Sequence, residues 1–264
     1  MTRFVSLSSG SNGNCYYIGN DRVSFLIDVG IGGRTIRKRL SVLGIDVGKV
    51  DFVLVTHDHV DHIKYLGTFT EHYHKPVFAT RELHHALESH FCTRGRMTGS
   101  IKNTEAGVTS DCLGVKFTPF RVPHDARDTV GYHIDFFGTT FTFITDVGDV
   151  TDDVVKYCSM ASHLIIESNY DMDMLMDGPY TPELKRRIMD GNGHLSNDQA
   201  ASLIRRVAGN GLKSVFLCHL SENNNTPDLA LASASAALRE TGATNVLLRA
   251  LPRRNSSEFF EFES

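Results

Sequence analysis

Residues Thr56 to His62 read THDHVDH and place four metal-ligating side chains, His57, His59, Asp61 and His62, within six positions. Imidazole and carboxylate ligands in one short segment suit zinc, and the carboxylate also admits manganese or iron. The run follows directly on the apolar segment DFVLV, residues 51–55, which has the composition of a buried strand. The four side chains are therefore expected in a loop at the carboxyl end of a strand, where α/β folds bind ligands. From an extended loop His57 and His59 point one way, and Asp61 and His62 toward a second position nearby. That spacing fits two cations about 3.5 to 4 Å apart. Histidine is abundant, at 13 of 264 residues, yet chance assembly of H-x-H-x-D-H is on the order of 1 in 500.

The elements that must position these groups alternate along the chain. Arg3–Ser8, Asn14–Ile18, Val23–Asp28 and Asp51–Thr56 read as strands, separated by Gly/Ser/Asn clusters and a short helix over Ile36–Leu43. A helix is expected from about Ile63, then a strand at Val77–Ala79 and a helix over Arg81–His90. Gly114–Phe120, Val130–Phe136 and Thr139–Ile144 alternate at period two. Later come strand His163–Glu167, helices Pro182–Met189 and Asn197–Ala208, strand Ser214–Cys218, helix Asp228–Glu240, strand Asn245–Leu248 and a terminal edge strand at Phe259–Phe262. Strands followed by strand–helix alternation thus occur twice, with no linker between. This predicts one α/β domain over 1–264: a four-layer αββα sandwich with two mixed sheets face to face and helices on the outer faces.

Composition excludes several classes. With 41% hydrophobic and 22% charged residues the chain can bury a full core. No apolar run approaches the roughly 18 to 20 residues needed to span a bilayer, and the N-terminus has no signal-peptide pattern. Five widely spaced cysteines without a C-x-x-C pair argue against disulfides or a thiolate metal site, and point to a reducing cytoplasm. The net charge of −4 means that any polyanion must be held by local positive charge or by metal. No G-x-S-x-G elbow offers a protein nucleophile.

THDHVDH resembles the signature of the metallo-β-lactamase fold, and the resemblance extends along the chain. The family's early strand-ending Asp matches Asp28 in FLIDVG, as a loop-ordering residue. Its later ligands match His124 in RVPHDA, Asp146 in FTFITDVG and His219 in VFLCHLS. The resemblance implies two divalent ions, zinc or manganese, with His57, His59 and His124 on one and Asp61, His62 and His219 on the other. Asp146 would bridge them. His124, Asp146 and His219 each follow an apolar strand run, as a strand-end site requires. Two such ions flanking a water lower its pKa toward neutrality and stabilise charge that develops on the substrate.

Two further segments bear on the substrate. GNGHLSNDQAA, residues 191–201, resembles the GH-S/T-xxxA segment of the phosphodiesterase branch that includes ribonuclease Z. The resemblance makes His194 the group that assists the leaving oxygen, with Glu167 in LIIESNY behind it. A carboxylate behind an imidazole fixes its tautomer and favours its protonated form. The opening SLSSGSNGNCYYI and the closing HLSENNNTPDLA resemble the YycJ/WalJ-type subgroup, small members regarded as 5′-to-3′ DNA exonucleases. In the opening loop, Ser9, Ser11 and Asn14 are candidates to hold a phosphate. Only 73 positions separate Asp146 from His219, too few for a β-CASP insertion.

The expectation is therefore a dinuclear phosphodiesterase acting on nucleic acid, DNA above all, with Asp61, His194 and Glu167 as catalytic groups and no membrane or obligate protein partner implied. The alternative enzyme is an ester, lactone or cyclic phosphodiester hydrolase on the same site. A metal-dependent binding module without turnover is the alternative of another class. His72 and His74 are expected at a helix end, and His84, His85 and His90 on an exposed helix. Lys185–Arg187 read as a solvated face. Arg94 and Arg96 read as a polar loop that could cover the site, and Arg253 and Arg254 as a basic pair after a late strand.

Overall fold

A computed structural model of the protein describes residues 1–209 and 211–263. Its strands in chain order are β1 Thr2–Ser8, β2 Cys15–Gly19, β3 Ser24–Ile27, β4 Phe52–Leu54, β5 Val77–Thr80, β6 Ile101–Thr104, β7 Ser110–Cys112, β8 Val115–Arg121, β9 Val130–Phe136, β10 Thr139–Ile144, β11 His163–Glu167, β12 Ser214–Cys218, β13 Leu247–Ala250 and β14 Phe260–Phe262. They form two seven-stranded sheets, ordered β14-β1-β2-β3-β4-β5-β6 and β13-β12-β11-β10-β9-β8-β7. Both sheets are mixed in the same way. In the first, β14, β1, β2 and β3 pair antiparallel, and β3 to β6 pair parallel. In the second, β7 to β10 pair antiparallel and β10 to β13 parallel.

The helices are α1 Gly33–Val42, α2 Val60–Ile63, α3 Leu66–Tyr73, α4 Arg81–Ser89, α5 Asp152–Ser159, α6 Met172–Asp177, α7 Pro182–Met189, α8 Asn197–Val207 and α9 Pro227–Glu240. Their starts follow from capping chemistry. Thr80, Thr151, Thr181 and Thr226 each accept the backbone N–H three residues on, and Pro182 and Pro227 occupy the first turns that tolerate them. Ser196 and Gln199 form a reciprocal capping box that fixes the start of α8.

Three apolar layers explain the stacking. The central one joins the two sheets, with Phe4, Tyr16, Phe25 and Phe52 from the first against Phe117, Tyr132, Phe141 and Phe216 from the second. Ile36, Leu40, Leu66, Phe69 and Leu83 seal the outer face of the first sheet, and Val154, Leu203, Ile204 and Leu238 that of the second. This is the αββα arrangement expected from the sequence. Among the described residues, no helix is long and apolar enough to cross a membrane.

Several local expectations are corrected. The short strands β6 and β7 and the helices α5 and α6 have no expected counterpart. β6 and β7 are partly exposed edge segments whose polar composition hides them. His84 is buried at 3% exposure on the inner face of α4 and Nε2 lies 3.1 Å from the carbonyl of Lys102, whereas His85 is exposed. Position within the α4 periodicity, not residue type, decides this. His74 does end α3, as expected, in a left-handed conformation.

Phe52 stacks on Phe25 with ring centroids 4.8 Å apart, and meets Phe78 and Phe117 at 5.6 and 5.9 Å. Phe52→Ala is expected to lower the unfolding free energy by about 3 to 5 kcal/mol, because packed neighbours from both sheets cannot collapse into the void. Urea denaturation checks this; a loss below about 1 kcal/mol would mean the sheets are not packed through this ring.

Candidate metal centre and active site

β3 and β10 occupy equivalent places: each has an antiparallel neighbour on one side and a parallel one on the other. A crevice opens beyond the carboxyl end of such a switch strand. Asp28 follows β3, and Asp146 follows β10 after one intervening residue. Both adopt left-handed backbone, with φ of 59° and 51°, and so does His219 after β12, with φ of 52°. Non-glycine residues rarely adopt this conformation, and it concentrates at functional sites. Here it turns the side chain back over the sheet ends instead of letting it follow the strand.

The THDHVDH segment crosses the same crevice. Its second half is not an extended loop: Asp61 and His62 lie on the one-turn helix α2, which starts at Val60. The helix needs close approach by the loop after β3. A Cβ on Gly30 would stand 1.7 Å from the carbonyl oxygen of Asp61 and 2.6 Å from the backbone nitrogen of Asn14. Only glycine fits there.

The ring nitrogens are pre-set by outward partners. His62 donates from Nδ1 to Asp28 Oδ2 at 2.7 Å, and the same carboxylate accepts from the backbone and hydroxyl of Thr56 at 2.9 and 2.8 Å. Thr56 thereby has a lone pair to accept from His57 Nδ1 at 3.0 Å. His124 donates from Nδ1 to the carbonyl of Gly193 at 2.9 Å, and His219 from Nδ1 to Glu167 Oε1 at 2.8 Å. Each of these four rings turns Nε2 inward. Nε2 of His57 and of His219 is buried without any hydrogen-bond partner.

A cation fits these orphaned atoms. Ligand atoms of His57, His59 and His124 lie within 4.8 Å of one another, as do those of Asp61, His62 and His219. His59 Nδ1 and His124 Nε2 face each other at 3.3 Å. Asp146 sits between the groups, Oδ2 3.1 Å from His62 Nε2 and Oδ1 3.7 Å from His124 Nε2. Electrostatics divides the two sides. Burial, reinforced by the other histidines, holds His57 well below the usual range, and burial lowers His124, so both offer lone pairs. On the other side burial opposes protonation, but Asp146, Asp61 and Asp28 outweigh it and raise His62 to about 10. His219 is raised too, against burial, by Asp146, Asp61 and Glu167. So much buried carboxylate calls for cations, and protons supply the charge when metal does not.

Glu167 ends β11 and is fully buried. Burial would raise its pKa, but His194 and His219 hold it down at about 2. Oε1 accepts from Nδ1 of His194 at 2.9 Å as well as from His219, and Oε2 accepts the backbone N–H groups of Val147 and Leu195. His194 stands partly exposed, with burial lowering its pKa and Glu167 raising it beyond that loss. A Cβ at Gly193 would lie 2.2 Å from the carbonyl of Ile188, so the chain passes too close to α7 for any side chain.

These groups open into a cavity of about 250 Å³ that is also lined by Ser11, Asp125, Asn169, Tyr180, Leu184, Arg187 and Ser221. Of the three residues expected to hold a phosphate, only Ser11 faces it. Ser9 is buried, its hydroxyl accepting from Tyr16 and from the backbone of His219 at 2.8 Å. Asn14 is buried as well. Its Oδ1 accepts from Gly10, and its Nδ2 donates to Asp61 Oδ2 at 3.1 Å and lies 2.9 Å from His62 Nε2. The backbone N–H groups of Ser9, Gly10, Gly13 and Asn14 are likewise spent inside the protein. Ser9 and Asn14 thus brace the centre, and Ser11 is the loop residue that faces the cavity. Arg187 is exposed, as expected of a solvated face, and it also binds Asp125 at 2.5 Å, with Asp125 Oδ1 3.4 Å from His124 Nε2. Helical spacing from Leu184 and Ile188 is the signal that would have shown it facing the cavity. Arg253 pins the closing loop through the carbonyl of Ser221. Arg96 reaches Glu71 and Thr68, and it does not line this cavity.

Residues 24–220 match the family model described as "Beta-lactamase superfamily domain". The chain belongs to the metallo-β-lactamase superfamily. It is 33% identical over 244 residues to exodeoxyribonuclease YycJ of Bacillus anthracis, covering 90% of each chain. It is 32% identical over 229 residues to exodeoxyribonuclease WalJ of Streptococcus pneumoniae, covering 86% of this chain and 85% of that one. The crystal structure of the metallo-β-lactamase fold protein YhfI from Bacillus subtilis aligns with a TM-score of 0.70 at 15% identity, over 97% and 98% of the two chains. The superfamily assignment and the clustered His/Asp ligands make this protein a metal-dependent hydrolase.

Asp28→Asn tests the bracing. An amide has one acceptor oxygen where Asp28 serves three donors, so a donor must face Thr56 or His62. Divalent-metal affinity, read by chelator competition, is expected to fall about 10- to 100-fold. Unchanged affinity would mean that Asp28 does not orient His62.

Proposed function

We propose that this protein is a dinuclear phosphodiesterase that shortens DNA from the 5′ end. One observation carries the phosphodiester part: His194, backed by the buried Glu167, stands beside the two ligand groups and opens on the same cavity. When a phosphodiester in nucleic acid is hydrolysed, the P–O bond that breaks releases a sugar alkoxide, a poor leaving group that needs a proton. Glu167 fixes the proton on Nδ1 of His194 and favours the charged ring, so Nε2–H is available to the departing oxygen. An ester with a good leaving group has no use for such a pair.

His57, His59 and His124 would hold one divalent ion and Asp61, His62 and His219 the other, with Asp146 shared between them; zinc or manganese suits these donors. When bound, such ions lower the pKa of water toward neutrality and draw charge from phosphate oxygens. Asp61 acts with them, being held ionised against burial by His62 and His219. Arg187 and Ser11 line the mouth, where a phosphate oxygen can exchange with Asp125 for the guanidinium. DNA as substrate is supported by the two exodeoxyribonuclease relatives, and the 5′-to-3′ direction rests on the resemblance to that subgroup. The whole chain acts as one domain, and its five free cysteines fit the reducing cytoplasm.

The test uses metal-loaded protein of measured metal content on single- and double-stranded DNA labelled at either end. Loss of the 5′ label as mononucleotide before any shortening at the 3′ end is expected. Hydrolysis of bis(p-nitrophenyl) phosphate without any shortening of DNA would leave a small-molecule hydrolase instead. His194→Ala should slow DNA turnover about 10²- to 10⁴-fold while changing p-nitrophenyl ester turnover little. Equal losses on both substrates would remove His194 from the role of acid.

A further inference from the structure

We propose that the DNA strand leaving the active-site cavity runs along α1, held by Arg34, Arg37, Lys38 and Lys64 and by the face of Tyr65. This rests on the nucleic-acid reading above and assigns the path of the substrate beyond the scissile phosphate.

The path begins one residue along the chain from the active site. Ser11 lines the catalytic cavity, and its neighbour Asn12 lines a second cleft of about 230 Å³ with Lys64, Tyr65 and Arg254. That cleft shares Gly32 and Tyr65 with a third, of about 490 Å³, lined by Arg34, Arg37 and Tyr73 over an apolar floor. It shares Thr35 and Arg39 with a fourth, of about 520 Å³, which includes Lys38. The catalytic cavity itself, at about 250 Å³, is smaller than the roughly 300 to 1,000 Å³ of sites that enclose a drug-sized ligand, so a polymer must continue outside it.

Charge singles out this direction. Among the described residues, no acidic residue lines any of the three outer clefts, in a chain with 31 acidic and 27 basic residues. The cleft at the opposite, amino ends of the strands is lined by Asp21, Asp46 and Asp51 as well as by Arg22, Lys49 and Lys75. Arg39 is committed to the carbonyls of Leu7 and Arg254, and Arg254 is paired with Glu222 at 2.7 Å. Among the described residues, Arg34, Arg37, Lys38 and Lys64 pair with no carboxylate, and all four are exposed. Arg34 lies three and four residues from Arg37 and Lys38, so three like charges crowd one helix face and destabilise it. Some basic helix residues elsewhere are balanced, Arg205 by Glu240 and Arg187 by Asp125, whereas the three on α1 share one face with no acid in the first turn. A polyanion relieves the crowding on α1. The ten residues of α1 span about 15 Å, enough for two or more phosphates, and Tyr65, half-buried with Lys64 Nζ 5.6 Å from its centroid, offers a ring on which a base can stack.

The experiment compares the metal-loaded wild type with R34A/R37A/K38A and with R22A/K49A/K75A, which removes the same charge at the opposite end. KM is measured on a 20-nucleotide and a 2-nucleotide single-stranded DNA across a salt series. For the α1 variant, KM on the 20-mer is expected to rise about tenfold, with its salt dependence weakened by about two powers of salt concentration. KM on the dinucleotide should not change, and R34K/R37K should behave as wild type. An α1 variant indistinguishable from R22A/K49A/K75A on the 20-mer overturns the path while leaving the nuclease reading intact. A wild type that shortens neither oligonucleotide removes the nuclease reading, and the path with it.

Discussion

Four carboxylates and six imidazoles share one largely buried crevice, and that charge balance constrains the rest of the protein. An isolated buried carboxylate is too unfavourable to keep. Asp28 and Glu167, both fully buried, survive because each is saturated: Asp28 by Thr56 and His62, Glu167 by two backbone N–H groups and two imidazoles. The same contacts aim the opposite ring nitrogens inward, leaving the Nε2 atoms of His57 and His219 buried without a hydrogen-bond partner. A site so arranged is strongly attractive to divalent metal, and its carboxylates raise His62 and His219 against the effect of burial.

The architecture supplies this balance by repetition. Each sheet changes from antiparallel to parallel pairing at one strand, and each switch strand is followed by an aspartate in left-handed conformation, Asp28 in one sheet and Asp146 in the other. The face-to-face aromatic core brings the two switch points to the same end. The first sheet then delivers His57, His59, Asp61 and His62, and the second His124, Asp146, Glu167 and His219. Neither sheet holds a complete set, so packing of Phe4, Phe25 and Phe52 against Phe117, Phe141 and Phe216 is a condition for metal binding as well as for folding.

Much of this was legible from residue order. Strand-ending positions are visible where an apolar run stops abruptly, as at Thr56, Thr145 and Cys218, and the ligands follow each of those stops. The double strand-then-helix pattern gave both sheets except for β6 and β7, whose polar, half-exposed residues carry no periodic signal. What the residue types could not show was direction. Ser9 and Asn14 have the chemistry of a phosphate loop, yet the neighbouring Gly30 lets Asp61 pack so closely that both turn inward as braces. Arg187 is surface charge, as its type suggests, and its place at the cavity mouth is what residue type alone does not reveal. The helix expected over Ile36–Leu43 in fact starts at Gly33, and that added turn brings Arg34 onto the face of Arg37 and Lys38.

Glu167 ties two parts of the site together through a single atom. Oε1 accepts from His219, a member of one ligand group, and from His194, which lines the cavity. The carboxylate therefore cannot tighten one ring without bearing on the other. This explains the effort spent on fixing the segment that carries His194: Ser196 caps α8 just beyond it, Oε2 of Glu167 holds Leu195, and Gly193 both packs under α7 and anchors His124 through its carbonyl. A loop that had to place His194 alone could be loose. One that also sets the ring of His124 and shares its carboxylate with His219 must be rigid, and the GHLS sequence, with glycine for close approach and serine for the cap, is what that rigidity requires.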